Sequence, residues 1–196
     1  MVKVVFVRES KNAGYTVLGI NAGEGAVSYT VETSLYMRIG APLASDVIGE
    51  EHFSLIVASD EIFRATKKAL AILSYSDNNC FNLTRKLKSF GFSRDAVEAT
   101  VEDMLRHGYV NEQKQLERLI LNEAKTKLTG RAKFIPKLIA KGYKRSDIES
   151  VTERLIESGE IDFDAIKDEL IERRLGDGAD KDEVKKLLYK SGFYLE

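Results

Sequence analysis

A pattern of apolar residues and glycines recurs along this chain about every fifty residues. Leu83, Leu87, Gly91 and Phe92 return 51 positions later as Phe134, Leu138, Gly142 and Tyr143, and after a further 50 as Val184, Leu188, Gly192 and Phe193. A second set, Val97, Thr100, Met104, Leu105 and Gly108, returns 51 positions later as Ile148, Val151, Leu155, Ile156 and Gly159. Self-similarity at a fixed period marks tandem structural units, each a module that buries its apolar face against a neighbour. Spacings of three and four within each set are those of a helix. Each glycine followed by an aromatic reads as a helix stop. The glycine adopts the left-handed conformation and the aromatic folds back onto the core.

The helical period sets in at about Ser59. Ala65, Ala69, Ile72 and Leu73 mark a first helix running to about Tyr75, the Leu83 set a second ending at Gly91, and the Val97 set a third ending at Gly108. Asn79 stands at the N-cap of the second helix in the first unit. Asp180 holds the matching place in the third unit, with Glu183 completing a capping-box pattern. Gly130 in the middle unit is a weaker cap, and Pro136 then falls inside the predicted helix, where it removes a hydrogen bond to the Ala132 carbonyl. That helix either starts later, near Phe134, or kinks. The third unit stops at Glu196, where its third helix should begin.

Ahead of the repeats, VKVVFV, YTVLGI and AVSYTV read as three strands separated by the turn segments SKNAG and NAGEG. Three strands alone are marginal and need a cover on one face. TSLYMRIG, a short helix with Thr33 as N-cap and Gly40 at its stop, could supply it. The fold class is therefore mainly α: tandem three-helix repeats, the last truncated, preceded by a small antiparallel β-meander. The expected divisions are a β-rich extension with a short helix over 1–60, repeats over 61–110 and 111–161, and a truncated two-helix repeat over 162–196.

Two prolines in 196 residues suit long helices, and 43% hydrophobic with 31% charged residues suits a folded soluble chain. No apolar run approaches the roughly 18–20 residues that span a bilayer, and MVKVVFVRES lacks the apolar core of a secretion signal. A lone cysteine, Cys80, makes no internal disulfide, which points to a reducing compartment and a cytoplasmic protein.

The net charge of −1 hides an uneven distribution. Residues 1–60 carry 4 basic and 7 acidic side chains, 61–110 carry 8 and 6, 111–160 carry 11 and 8, and 161–196 carry 7 and 10. Between Glu123 and Asp147 there is no acid, yet Lys125, Lys127, Arg131, Lys133, Lys137, Lys141, Lys144 and Arg145 lie there. Lys133, Lys137 and Lys141 are spaced to form one stripe on a helix. Arg85, Lys86 and Lys88 lie on the corresponding helix of the first unit, again without an acid between Asp77 and Asp95. These residues are the candidate partner- or DNA-binding faces, meeting phosphates or an acidic protein surface. A solvated helical face with snorkelling lysines stays open beside that reading.

Residues 69–112, ALAILSYSDNNCFNLTRKLKSFGFSRDAVEATVEDMLRHGYVNE, resemble the first three-helix repeat of the RecX family. LTGRAKFIPKLIAKGYKRSDI, residues 128–148, resembles the glycine–basic–hydrophobic centre of that family's second repeat. The N-terminal strands and short helix resemble an extension seen in some members. Gln115 replaces the aromatic that usually opens the second unit, and Pro136 interrupts a helix that is normally continuous. The resemblance implies a non-enzymatic, cytoplasmic regulator of the RecA recombinase that binds the RecA–DNA filament and inhibits strand exchange and ATP hydrolysis. A weak contact with single- or double-stranded DNA is a secondary expectation. No membrane, small-molecule substrate, cofactor or metal is implied.

Nothing in the residues points to catalysis. His52 and His107 are far apart, and His107 precedes Gly108, where a basic group complements a helix C-terminus. Cys80 has no second cysteine, and Glu98, Glu102 and Asp103 read as a solvated face. Gly23 and Gly25 lack the third glycine of a phosphate loop and are followed by a strand. The alternative function is an autonomous DNA- or RNA-binding helical protein, since three-helix units can resemble helix-turn-helix domains. A sequence pI of about 6.2 disfavours it.

Overall fold

The β-branched runs at the N-terminus pair as expected. Strands β1 (Val2–Glu9), β2 (Tyr15–Asn21) and β3 (Ala26–Glu32) form an antiparallel meander. A fourth strand, β4 (Val47–Ile48), adds to β1, so the sheet order is β3-β2-β1-β4. Two residues are too few to show an alternation, which is why the sequence did not reveal β4. The computed structural model describes residues 1–176 and 178–194; Asp177 and the expected stop at Glu196 lie outside them. The chain divides into two compact units: Met1–Ser76 with Leu83–Tyr109, and Asp77–Asn82 with the chain from Val110 onward.

In the first unit, Val4, Leu18, Ile20 and Val31 of the sheet bury against Leu35 and Ile39 around helix α1 (Thr33–Arg38) and against Ile56 of helix α2 (Glu50–Tyr75). The short helix is thus only part of the cover. Helix α2 begins well before Ser59. Gly49 holds the extended N-cap conformation, and Glu50 and Glu51 in the first turn favour the positive end of the helix dipole. The same helix protects the outer edge of β3. Thr30 N–H donates to Asp60 Oδ1 at 2.8 Å and Glu32 N–H to Ser59 Oγ at 3.4 Å, so an otherwise open strand edge is satisfied by side chains. Thr33 is not the N-cap of α1. Glu32 occupies that position, and the Thr33 hydroxyl lies 3.1 Å from that of Thr16.

Among the described residues the helical repeats follow in a 3+3+2 pattern. The first unit of the repeat comprises α2, α3 (Cys80–Ser89) and α4 (Arg94–Arg106). The second comprises α5 (Glu112–Leu121), α6 (Arg131–Ala140) and α7 (Arg145–Glu157), and the third α8 (Phe163–Arg174) and α9 (Lys181–Lys190). Gly91, Gly142 and Gly192 follow their second helices with φ of +86°, +94° and +85°. In the latter two the aromatic closes the stop: Tyr143 N–H donates to Leu138 O at 3.2 Å and Phe193 N–H to Leu188 O at 2.9 Å. Both rings are buried in one core with Leu116, Ile120, Phe134, Leu138, Ile148, Leu155, Ile166 and Leu188. Helix α6 starts at Arg131 and continues past Pro136, so of the two sequence alternatives the late start is excluded.

Capping follows the sequence in one place and departs from it in another. Asn79 Oδ1 accepts from Asn82 N–H at 2.9 Å. Asp180 occupies the N-cap of α9 but makes no side-chain capping bond, so the predicted capping box is not closed.

Gly130 occupies the N-cap of α6, without a side chain to cap with, and has a second task there. Its N–H donates to Ser191 O at 2.9 Å, and Ala132 N–H donates to Gly192 O at 3.3 Å, so the start of α6 accepts the carbonyl end of α9. A Cβ on Gly130 would lie 2.2 Å from Gly192 O. One repeat earlier the same junction is made by side chains. Asn79 Nδ2 donates to Lys141 O at 2.9 Å and Asn82 Nδ2 to the same oxygen at 3.4 Å, where Phe81 fills the space beside Gly142.

Gly130→Ala is expected to destabilise the protein by about 2–4 kcal/mol, through overpacking against a backbone oxygen and a weakened hydrogen bond. Gly91→Ala meets open space and should cost only the left-handed backbone penalty, about 1–2 kcal/mol. Urea unfolding of both variants checks the order, which is the reverse of what backbone φ alone predicts.

Candidate functional site

The basic stretch 125–145 winds from the end of α5 to the start of α7 within the second compact unit. Helix α5 passes into a π-helical turn over Asn122–Thr126, which the sequence did not announce. The turn carries the Glu123 side chain inward, where it is only 7% exposed. Its carbonyl accepts from both the N–H and the hydroxyl of Thr129, at 3.1 and 2.8 Å. Its carboxylate accepts from Lys127 Nζ at 2.5 Å and Lys137 Nζ at 2.9 Å. Burial alone would push this carboxyl up, but the hydrogen bonds and charges of the two lysines outweigh it and hold the carboxyl below its ordinary value.

Glu123 therefore changes the meaning of the acid-free run. Lys137, in the middle of the predicted stripe, is an internal partner. Arg131 is another: its guanidinium meets Glu153 of α7 at 2.6 and 3.2 Å and lies 5.6 Å from the Phe163 ring centroid. Arg145 pairs with Glu149 one helical turn on, at 3.2 Å. The counter-charges absent from the sequence window come from its border and from the next helix. Lys125, Lys133, Lys141 and Lys144 are exposed and make no ion pair among the described residues. Lys125 sits in the π turn, Lys133 in α6, Lys141 at its C-cap and Lys144 at the N-cap of α7. These four are the unneutralised part of the face.

Arg85, Lys86 and Lys88 occupy the latter half of α3, in the other compact unit; Arg85 and Lys88 are exposed and Lys86 is half-buried. Beside them, Lys68 Nζ lies 3.8 Å from the centroid of the exposed Phe90 ring, a cation–π contact that draws one more cation to this helix end.

The groups set aside as chemically inert have structural tasks here. Cys80 opens α3, with its N–H donating to Glu112 Oε1 at 2.8 Å. Burial, the Glu112 charge and a hydrogen bond to Glu112 push the thiol up to about 12, so it stays protonated rather than becoming a nucleophilic thiolate. His107 forms the C-cap of α4, with Nδ1 3.0 Å from Asp103 O. His52 is exposed on α2. Among the described residues no three potential metal ligands come together, and no helix is long and apolar enough to cross a membrane.

Glu123 and its lysines make a prediction with a defined sign. A carboxyl held low in the folded state contributes stability above its unfolded pKa, and loses it as pH falls through the folded value. Lys137→Ala should cost about 1.5–3 kcal/mol and move acid unfolding to higher pH, because one of two charged hydrogen bonds is lost. Lys133→Ala should stay within about 0.5 kcal/mol with an unchanged acid limb. Circular dichroism across an acid titration separates the two.

No model of a known protein family matches the chain. It is similar to the curated regulatory protein RecX of Caldanaerobacter subterraneus subsp. tengcongensis, 23% identical over 190 residues, which cover 97% of this chain and 92% of that protein. Its fold is that of a crystal structure of a regulatory protein RecX, with a TM-score of 0.72 at 17% identity over 99% of this chain and 95% of the other. The crystal structure of RecX from Lactobacillus salivarius aligns with a TM-score of 0.56 at 20% identity, over 69% of this chain and 90% of that one. The resemblance read from the repeat residues is borne out along nearly the whole chain, as is the mainly helical fold with its N-terminal sheet.

Proposed function

We propose that this protein is a cytoplasmic, non-enzymatic regulator of a RecA-type recombinase that binds the RecA–DNA filament and lowers its activity. The observation that carries the reading is the end-to-end similarity, in sequence and in fold, to proteins named regulatory protein RecX. The arrangement of the chain suits it. Repeated helical units offer repeated surfaces, which can match a repetitive partner without needing a pocket. We assign the extension to 1–60 and the repeats to 61–110, 111–161 and 162–196, with α2 running across the first boundary and serving both parts.

Charge nominates the contact residues. A cation already paired with an internal carboxylate offers a partner little new attraction, whereas an unpaired exposed one can meet a phosphate or an acidic side chain. Lys133, Lys141 and Lys144, with Lys125, Arg85 and Lys88, are the cations we place at the filament; Lys127, Arg131, Lys137 and Arg145 serve the protein's own fold first.

Added to its cognate recombinase on single-stranded DNA, the purified protein is expected to lower ATP hydrolysis and strand exchange at or below one molecule per recombinase. It should hydrolyse no nucleotide by itself. An ATPase rate that stays constant across a wide titration overturns the proposal.

The contact assignment has its own test. Changing Lys133, Lys141 and Lys144 together to Ala should weaken filament binding while leaving helical content unchanged, since Ala is the best helix former. If the contacts are phosphates, the slope of log affinity against log salt should flatten by about two units or slightly more. Binding equal to that of the unaltered protein would show these lysines to be a solvated face.

A further inference from the structure

The two edges of the N-terminal sheet are treated differently. At β3, side chains of α2 take up the outward amides of Thr30 and Glu32. At β1 the cover stops early. Strand β4 pairs only with Val2 and Lys3. The residues before it reach Val4, whose N–H donates to Asp46 O at 2.9 Å and whose carbonyl accepts from Ser45 N–H at 2.8 Å. Beyond Val4 the ladder with β2 fixes where the backbone groups point. Ser10 N–H donates to Tyr15 O at 3.1 Å, so these two form a hydrogen-bonded pair, and by alternation so do Arg8 with Val17 and Phe6 with Gly19. Val7 and Glu9 therefore turn their N–H and C=O groups away from β2. The register shift between Val4 and Phe6 keeps Val4 and Val7 on the same edge. No group among the described residues hydrogen-bonds the outward backbone of Val7 and Glu9.

An open cleft of about 630 Å³ borders this edge, lined by Val7 and Glu9 of the strand and by Tyr36 and Met37 of α1. Directly opposed strand residues share a face. Val7, opposite Leu18, and Glu9, opposite Thr16, thus lie on the face that α1 covers, and Phe6 and Arg8 lie on the other. On the α1 side Met37 is 62% exposed. On the other side Arg8 is exposed, makes no ion pair among the described residues and lies 5.7 Å from the Phe6 ring centroid.

We propose that the open edge of β1 is a docking site for an extended peptide segment of a partner protein, added as a fifth strand antiparallel to β1. Its backbone takes up the free groups of Val7 and Glu9. Its residues opposite these two face Tyr36 and Met37 and are apolar, and the residue between them, opposite Arg8, is acidic. In this mode main-chain bonds supply affinity and alternate side chains supply specificity. Only a chain in strand conformation offers donors and acceptors at the spacing the edge presents. A second copy of this protein fits less well. Two β1 edges paired about Val7 would bring Ser10–Asn12 of one copy into the row that Ser45–Ile48 of the other already fill.

The site uses none of the cations placed at the filament, and its test contains no recombinase. The probe is a labelled octapeptide in which Val alternates with Glu and Thr. Fluorescence anisotropy should show saturable binding, and amide hydrogen exchange should show new protection at Val7 and Glu9. The same peptide N-methylated at its two central Val amides keeps every side chain. It should bind about tenfold more weakly or worse, since each lost hydrogen bond is worth about fivefold. Met37→Lys, at an exposed position, should weaken binding by about threefold or more. Arg8→Glu should favour a peptide with Lys in place of Glu, a rescue that poor folding cannot imitate. No saturation up to about 1 mM, equal affinity for the N-methylated peptide, or protection away from β1 overturns the proposal. So does a dimer of the unaltered protein that protects the same amides, which would assign the edge to a second copy.

Discussion

The close approach of one helix end to the start of another underlies the repeat architecture in the second unit. At Gly130 the approach is backbone to backbone, with the α6 amides taking the carbonyls at the end of α9. At Asn79 and Asn82 two side-chain amides do the same for Lys141 O. Both junctions satisfy carbonyls that a helix C-terminus leaves without an internal partner. Both also demand a left-handed glycine just past that terminus, Gly142 in one and Gly192 in the other, with little or no room for a side chain. This geometry explains why the period of the sequence is so regular. A unit of different length would present its carbonyls out of reach of the preceding helix start.

The sheet-containing unit solves a different problem. A four-stranded sheet with one two-residue strand has little core of its own, and its edges invite pairing with other chains. Helix α2 addresses both needs. Ile56 enters the sheet core, while Asp60 and Ser59 occupy the amides along the edge of β3. Asp60 is itself held by Arg64 at 2.8 Å. The helix that opens the first repeat is therefore also the cover of the sheet, which ties the extension to the repeats through one continuous element.

For function, the consequence lies in how the positive charges are divided. Eight basic residues without an intervening acid look in sequence like one uniform surface. In space Glu123, Glu149 and Glu153 remove Lys127, Lys137, Arg131 and Arg145 from it. What remains exposed is sparser and more specific: lysines around the ends of α6, adjoined by the aromatic end of α9. A protein with a charged face divides the labour of its side chains in this way. Some charges must fasten its own helices, and only the rest are available outside.

Local order was legible in the residues themselves. Strand runs, helical spacing, the Gly142–Tyr143 and Gly192–Phe193 stops, and the Asn79 cap all depend on neighbours within a few positions, and such signals survive in a linear reading. So did the relation to RecX proteins, because repeat order and period are sequence properties. What tertiary structure decided was every feature whose partner is remote. Arg131 meets Glu153 from 22 positions away, and Lys137 meets Glu123 from 14. Gly130 reads as a poor cap until Gly192 is brought against it, and β4 exists only because β1 offers it a free edge. The physical reason is common to all of them: short-range sterics and hydrogen bonds fix each helix and turn, whereas charge pairing and backbone approach are set by distances that exist only once the helices have packed.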